Sequence, residues 1–318
     1  MLAKRLSETD REKYARKNLV MKLALEGVFE SELQNYFNKV LKETTDIYSS
    51  TLSVPNPSIF NKLTTELLVK HYNRTASIFI EEGTRAIIKD QGGKVDSRLD
   101  EIIVASGIAG AFLYAKQQVS KRSSYITDTT RDNIQDSFKK AKDQVIVDLE
   151  VDRNINQNNA TKKYLYDNLK DKFEGRISSI KITETQLMAE KTKLIDAYVR
   201  GRLASNINAS NYDLDEIPDQ FIELLRIGES TLIKDSVSMA SGNVDYYSPD
   251  EFKEMKKSWS AILDDVVRNG HALANGQERY ANEPFEVSGE LLMIPSDTSF
   301  GASIENIINC RCSALYYQ

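Results

Sequence analysis

From Leu19 to Leu225 the apolar residues recur three or four positions apart, and that period commits most of this chain to helices. Leu19, Leu23, Leu33, Phe37, Val40 and Leu41 stand among Lys, Glu and Asn and form one apolar stripe. The stripe predicts a first helix ending near Tyr48, because Pro55 and Pro57 in SSTLSVPNPS lack an amide donor and restrict the residues before them. Phe60, Leu63, Leu67, Leu68, Ile78 and Phe79 predict a second helix, stopped at Gln91, Gly92 and Gly93 by two glycines. A third long helix begins at Ile102.

After Ser123, Thr127 or Asp128 can accept hydrogen bonds from the first free amides of a new helix carrying Ile134 and Phe138, which places a boundary near 123. The run Asn154 to Asn159 predicts a loop, and Tyr164, Leu165, Leu169 and Phe173 a short helix ending at Gly175. ISSIKITETQLMAEKTKLIDAYVRG predicts a long helix stopped by Gly201, then a loop over 203–218 closed by Pro218, then a helix through Phe221, Leu224 and Leu225. From Ser248, Pro249 and Asp250 the text changes in kind. Phe252, Met255, Trp259, Ile262 and Leu263 are spaced as a last helix leading to Gly270, and then Phe285, Val287, Leu291 and Met293 alternate around Gly289, the pattern of a small hairpin. The expected fold is mainly α. An elongated helical N-terminal region (1–123) and a helical middle region (124–247) precede a small α+β module (248–318).

Composition narrows the function classes. With 42 Lys and Arg against 47 Asp and Glu, the net charge of -5 argues against a nucleic-acid coat, so any DNA contact must be local. The opening MLAKRLSETDREKYARK lacks an apolar core ending in small residues, and the expectation is a protein made and kept in a cytoplasm. The apolar stretch Ile102 to Tyr114 falls short of the roughly twenty residues a bilayer span needs. It reads as a buried helix, with no membrane as partner. Lys4, Arg5, Arg11, Lys13, Arg16 and Lys17 alternate with Glu8, Asp10 and Glu12, which describes a solvated face or a contact with DNA or an acidic protein rim.

The chemistry-bearing residues lie near the end. Cys310 and Cys312, separated by one residue, could close only a strained ring, which leaves reduced thiols, metal ligands or intermolecular partners. With His271 they have the ligand types of a zinc site, to which Asp264 or Asp297 could add an oxygen, and a module poor in regular structure gains folding energy from a metal. Two buried thiols equally need no metal, so no cofactor is certain. Arg268 and His271 lie three apart with Asp264 a turn back, one helix face suited to pinning the hairpin by charge-assisted hydrogen bonds. Glu184 reads as a helix residue facing solvent or Arg268, and His71 as packed or solvated. No Gly-rich phosphate loop, Ser-His-Asp context or second tuned carboxylate accompanies Glu184, so the chain does not read as an enzyme.

Trp259, Asp264, Arg268, His271, Gly276, Pro284, Phe285, Pro295, Asp297, Asn309, Cys310, Arg311 and Cys312 follow one another in an order that resembles the C-terminal signature of the phage Mu protein F-like, head-morphogenesis family. ITDTTRDNIQDSF is similar to that family's Thr-Thr-rich helix start, and KITETQLMAE to its Ala-Arg-Thr-Glu-Thr helix, so the resemblance runs from Ser124 to the end. Ile182 stands where the family has an arginine, and 201–250 is longer than the usual spacer. The resemblance implies a bacteriophage minor head (capsid) protein, a low-copy structural part of the virion at or near the portal vertex. Portal or major capsid subunits would be its partners, with packaged DNA a further contact. A virion-borne enzyme or effector and a DNA-binding ejection protein are the alternatives.

Overall fold

The computed structural model describes residues 7–82, 97–212, 217–243 and 255–317. The segments expected to carry the Gln91–Gly93 helix stop, Ser248 to Asp250 and Phe252, and the basic pair Lys4 and Arg5, lie outside the described residues. Among the described residues five helices come first: α1 (Glu8–Thr51), α2 (Asn61–Glu82), α3 (Ser97–Val151), α4 (Gln157–Ala209) and α5 (Asp219–Ala240). The small C-terminal module follows as β1 (Lys256–Ser260), α6 (Asn269–Ala274), β2 (Glu278–Tyr280), β3 (Phe285–Val287), β4 (Glu290–Leu292), α7 (Ile304–Ile307) and β5 (Ser313–Tyr317). The protein is therefore mainly α with a small α+β module, as the period predicted.

Local signals account for several ends. The Asp10 amide donates to Ser7 Oγ at 3.1 Å, capping the start of α1. A 3-10 turn over Pro57–Phe60 opens with Asn56, whose side chain accepts from the Ser58 amide, and with Pro57 in the position that needs no donor. Elsewhere expected stops are overridden. Thr129 and Thr130 bond back to the carbonyls of Tyr125 and Ile126 inside an unbroken α3, so no cap forms at Thr127 or Asp128 and the expected boundary near 123 falls within one helix. Gly175 and Gly201 are likewise interior to α4, which continues to Ala209 through the first part of the predicted loop. Packing along a long helix outweighs the cost of roughly 1 kcal/mol for each glycine.

The chain divides into two compact units. One comprises Glu26–His71 and Lys116–Lys181, and its core is aromatic: Phe37 stacks on Phe173 with ring centroids 4.5 Å apart, Tyr48 meets Phe138 edge-on at 5.6 Å, and His71 stacks on Phe29 at 3.8 Å. His71 is thus packed rather than solvated.

The other comprises Met1–Leu25, Tyr72–Ala115 and Ile182–Gln318. At its centre runs α4, buried at every residue from 188 to 201. Leu99, Ile102 and Ile103 of α3 pack on Val199 and Leu203, and α5 adds Ile222 and Leu225. Gly110 lets α3 approach closely: a Cβ there would lie 2.9 Å from Ser236 Oγ and 3.0 Å from Ile195 Cγ2. By length and composition a window of α3 is long and apolar enough to cross a membrane, and half of it is buried inside the protein.

A helix enclosed on all sides should be apolar, yet this one carries Glu190, Lys191, Lys193, Asp196 and Arg200, all buried. Each is paired. Lys22 of α1 reaches Glu190 at 2.7 Å and Lys193 reaches it at 2.8 Å. Lys191 meets Asp297 at 2.9 Å, and Arg200 meets Asp196 at 3.0 Å and Asp100 at 3.5 Å. Buried charge is tolerated only with such compensation.

The C-terminal module corrects one prediction. Residues 256–260, expected in a helix, form β1, the central strand of an antiparallel sheet ordered β2-β1-β5. Met255, Lys257 and Trp259 alternate with Ser258 and Ser260, and nearly all of the strand is buried. A lysine at the middle inward position hides the two-residue period from a sequence reading. Its ammonium donates to the carbonyls of Ala281 at 3.1 Å and Met293 at 2.7 Å and lies near the Phe285 ring. The expected hairpin is present: β3 and β4 pair Val287 with Glu290 across Ser288 (φ 54°) and Gly289 (φ 78°), the two positive values of a tight two-residue turn.

Glu190→Gln would leave two buried ammonium groups against a neutral amide. The substitution is expected to cost about 3–5 kcal/mol, read from the denaturant midpoint, whereas Lys62→Ala at the exposed Lys62–Glu66 pair should leave that midpoint nearly unchanged. A wild-type midpoint for Glu190→Gln would refute a structural role for the cluster.

Candidate metal centre

The three predicted metal ligands meet. His271 lies on α6 and Cys310 and Cys312 precede β5, yet His271 Nδ1 is 3.5 Å from Cys310 Sγ and 3.4 Å from Cys312 Sγ. All three ligand atoms lie within 4.8 Å of one another, and all three residues are buried. Zinc bonds of about 2.3 Å to sulfur and 2.0 Å to nitrogen at a tetrahedral angle separate N and S by about 3.5 Å. The cluster can hold a metal ion such as zinc.

Local conformation and distant side chains both set this geometry. Asn309 (φ 51°) bends the chain after α7, just ahead of the two cysteines. The Cys312 carbonyl then accepts hydrogen bonds from Lys22 Nζ at 3.1 Å and Gln186 Nε2 at 2.7 Å, while Ser313 Oγ also contacts Lys22 at 3.0 Å. Sequence reading missed Lys22, Gln186 and Lys191, since nothing local links residue 22 or 186 to residue 312. Against His271 stands Trp259, edge-on at 5.6 Å, and against Trp259 stands Phe285 at 5.3 Å. Pro284 leads into β3 and with it delivers Phe285 to this core.

Other members of the predicted set are placed differently. Asp264, Arg268 and His271 do not share a helix face, because α6 begins only at Asn269 with Arg268 as its N-cap. Asp264 accepts from the Val266 amide at 3.2 Å within its own turn. Arg268 donates to the Ile308 carbonyl, on the segment after α7 rather than on the β3–β4 hairpin it was expected to pin. Asp297 is no candidate ligand: beyond Pro295 its carboxylate accepts from Lys191, from the Met293 amide at 3.1 Å, and from the Ser299 amide and hydroxyl at 3.2 and 2.7 Å. Glu184 is buried and accepts from the Tyr72 hydroxyl, so it is not solvated. Asn309 and Arg311, with Asp264, Arg268 and Val266, line a cavity of about 50 Å³ beside the three ligands.

Protonation inside the cluster is split. The hydrogen bond from the Cys312 thiol holds Cys310 well below the usual thiol range, against the effect of burial and with help from His271. The same bond, together with burial, pushes Cys312 well up. The two thiols therefore differ in how readily each gives up the proton that a metal ion must displace. No protein-family model, no curated protein and no solved structure matches the chain.

Burial works to raise Asp297, but Lys191 and the Ser299 donors outweigh it and hold the carboxyl below its ordinary value. The unfolded chain thus binds the proton more readily. The contribution of Asp297 to stability is complete above the ordinary carboxylate range, about pH 4, and is lost as pH falls through the lower folded value. Asp297→Asn is expected to lower Tm at pH 7 and to flatten the acid-side decline of Tm. An unchanged pH profile would show that the Lys191 pair contributes nothing.

Proposed function

We propose that this chain is a structural minor head protein of the phage Mu F-like, head-morphogenesis class, and that zinc bound by His271, Cys310 and Cys312 ties its C-terminal module. One observation carries the reading: the signature residues Trp259, His271, Phe285, Cys310 and Cys312 turn inward on one another, while Asp297 of the same signature is engaged by Lys191. Residues that stabilise a module in this way serve its shape rather than turnover of a substrate. A module with short strands and two short helices has little regular structure to stabilise it, and a metal supplies folding energy directly. The long helices are suited to docking on portal or major capsid subunits, with packaged DNA a further contact inside the head.

Elemental analysis of the purified chain is expected to give about one zinc per molecule, lost in a Cys310→Ser, Cys312→Ser double variant together with protease resistance of the module. Phage particles assembled with His271→Ala are expected to be fewer or misassembled and depleted of this chain, as read by mass spectrometry of the particles. Absence of the wild-type chain from virions would overturn the head-protein assignment. A metal-free but fully folded wild-type chain would overturn the zinc assignment alone.

A further inference from the structure

Resting on the zinc reading above, we propose that the metal keeps one coordination position facing the adjoining cavity and that this position takes an anionic oxygen ligand. Among the described residues the cluster supplies three ligand atoms, whereas structural zinc sites are closed by four. The cavity of about 50 Å³ begins at those ligands, being lined by His271, Cys310 and Cys312 themselves, and it has room for a water molecule or a small oxyanion.

The walls select the ligand. Zinc with two thiolates and a neutral imidazole carries no net charge, so the sign of the surroundings decides what binds beside it. Arg268 and Arg311 line the cavity against one carboxylate, that of Asp264. Arg268 is held by the Ile308 carbonyl, so its guanidinium is fixed in place before any ligand arrives. Asp264 is held back by the Val266 amide at 3.2 Å and stands on the wall rather than in the ligand cluster. Ile262, Val266, Val267 and Asn309 complete the lining. The ligand class is a carboxylate or phosphate oxygen that reaches the metal and a guanidinium together.

The test uses the whole chain loaded with Co²⁺, whose visible bands report coordination, titrated with acetate and, separately, with inorganic phosphate. A saturable shift of the bands is expected. Arg268→Gln should weaken that titration by about tenfold, read on the Co²⁺-loaded fraction because Arg268 also holds the segment ahead of Cys310. A response to acetate alone identifies a carboxylate ligand, and a response to phosphate alone identifies a phosphate. Bands that neither anion moves would overturn the proposal, and a spectrum that Asp264→Asn changes in the absence of anion would make Asp264 the fourth ligand. Failure of the wild-type chain to bind either Co²⁺ or Zn²⁺ would instead overturn the zinc reading on which it rests.

Discussion

One buried carboxylate organises the unit that carries the candidate metal cluster. Glu190 lies between Lys22 and Lys193 and accepts from the Ala314 amide at 3.0 Å, so a single side chain on α4 engages α1 and β5 together. Burial depresses Lys193 to about 8 even with Glu190 beside it, a measure of how strongly this interior disfavours charge. The arrangement stands because every partner is present. β5 is an edge strand, and an exposed edge invites pairing with another chain. Here Lys193 donates to the Ala314 carbonyl at 2.9 Å while Lys22 and Gln186 take that of Cys312, so side chains replace the missing strand.

The candidate metal centre inherits its order from that edge. The cysteines sit just before β5, and the contacts that hold Cys312 from behind come from α1 and α4 rather than from the sheet. Supports of this kind fix the orientation of a side chain that would otherwise rotate, and they tie the candidate ligands to helices far away in sequence. Asp297 acts in parallel: it closes the turn after Pro295 and anchors that turn to Lys191, one residue from Glu190 on the same helix. The function proposed for this chain depends on such rigidity, since an assembly part must present one shape to its neighbours.

Much of the fold was legible because its determinants are local. The three-to-four-residue period announces α1 to α5, Ser288 and Gly289 sit where the alternation of Phe285 and Val287 requires a turn, and the His and Cys side chains declare their ligand chemistry. The misreadings share a cause as well. Lys257 broke the apolar alternation of β1, because its ammonium is satisfied by carbonyls that only the folded module brings near. Gly175 and Gly201 were read as stops, and tertiary packing carried α4 through both. The spacing of Asp264, Arg268 and His271 suggested a helix face, but the helix starts too late for it.

By itself the sequence determined a chain of long helices ending in a small α+β module, with one histidine and two thiols able to serve as ligands. Helical period and hairpin alternation are properties of neighbouring residues and survive without knowledge of the rest. Tertiary structure alone decided that His271 meets thiols about forty positions away, that α4 lies enclosed with its charges paired, and that Glu184 and Asp297 are buried and hydrogen-bonded. Those outcomes depend on which distant groups compensate one another once water is removed, and no local spacing encodes that compensation.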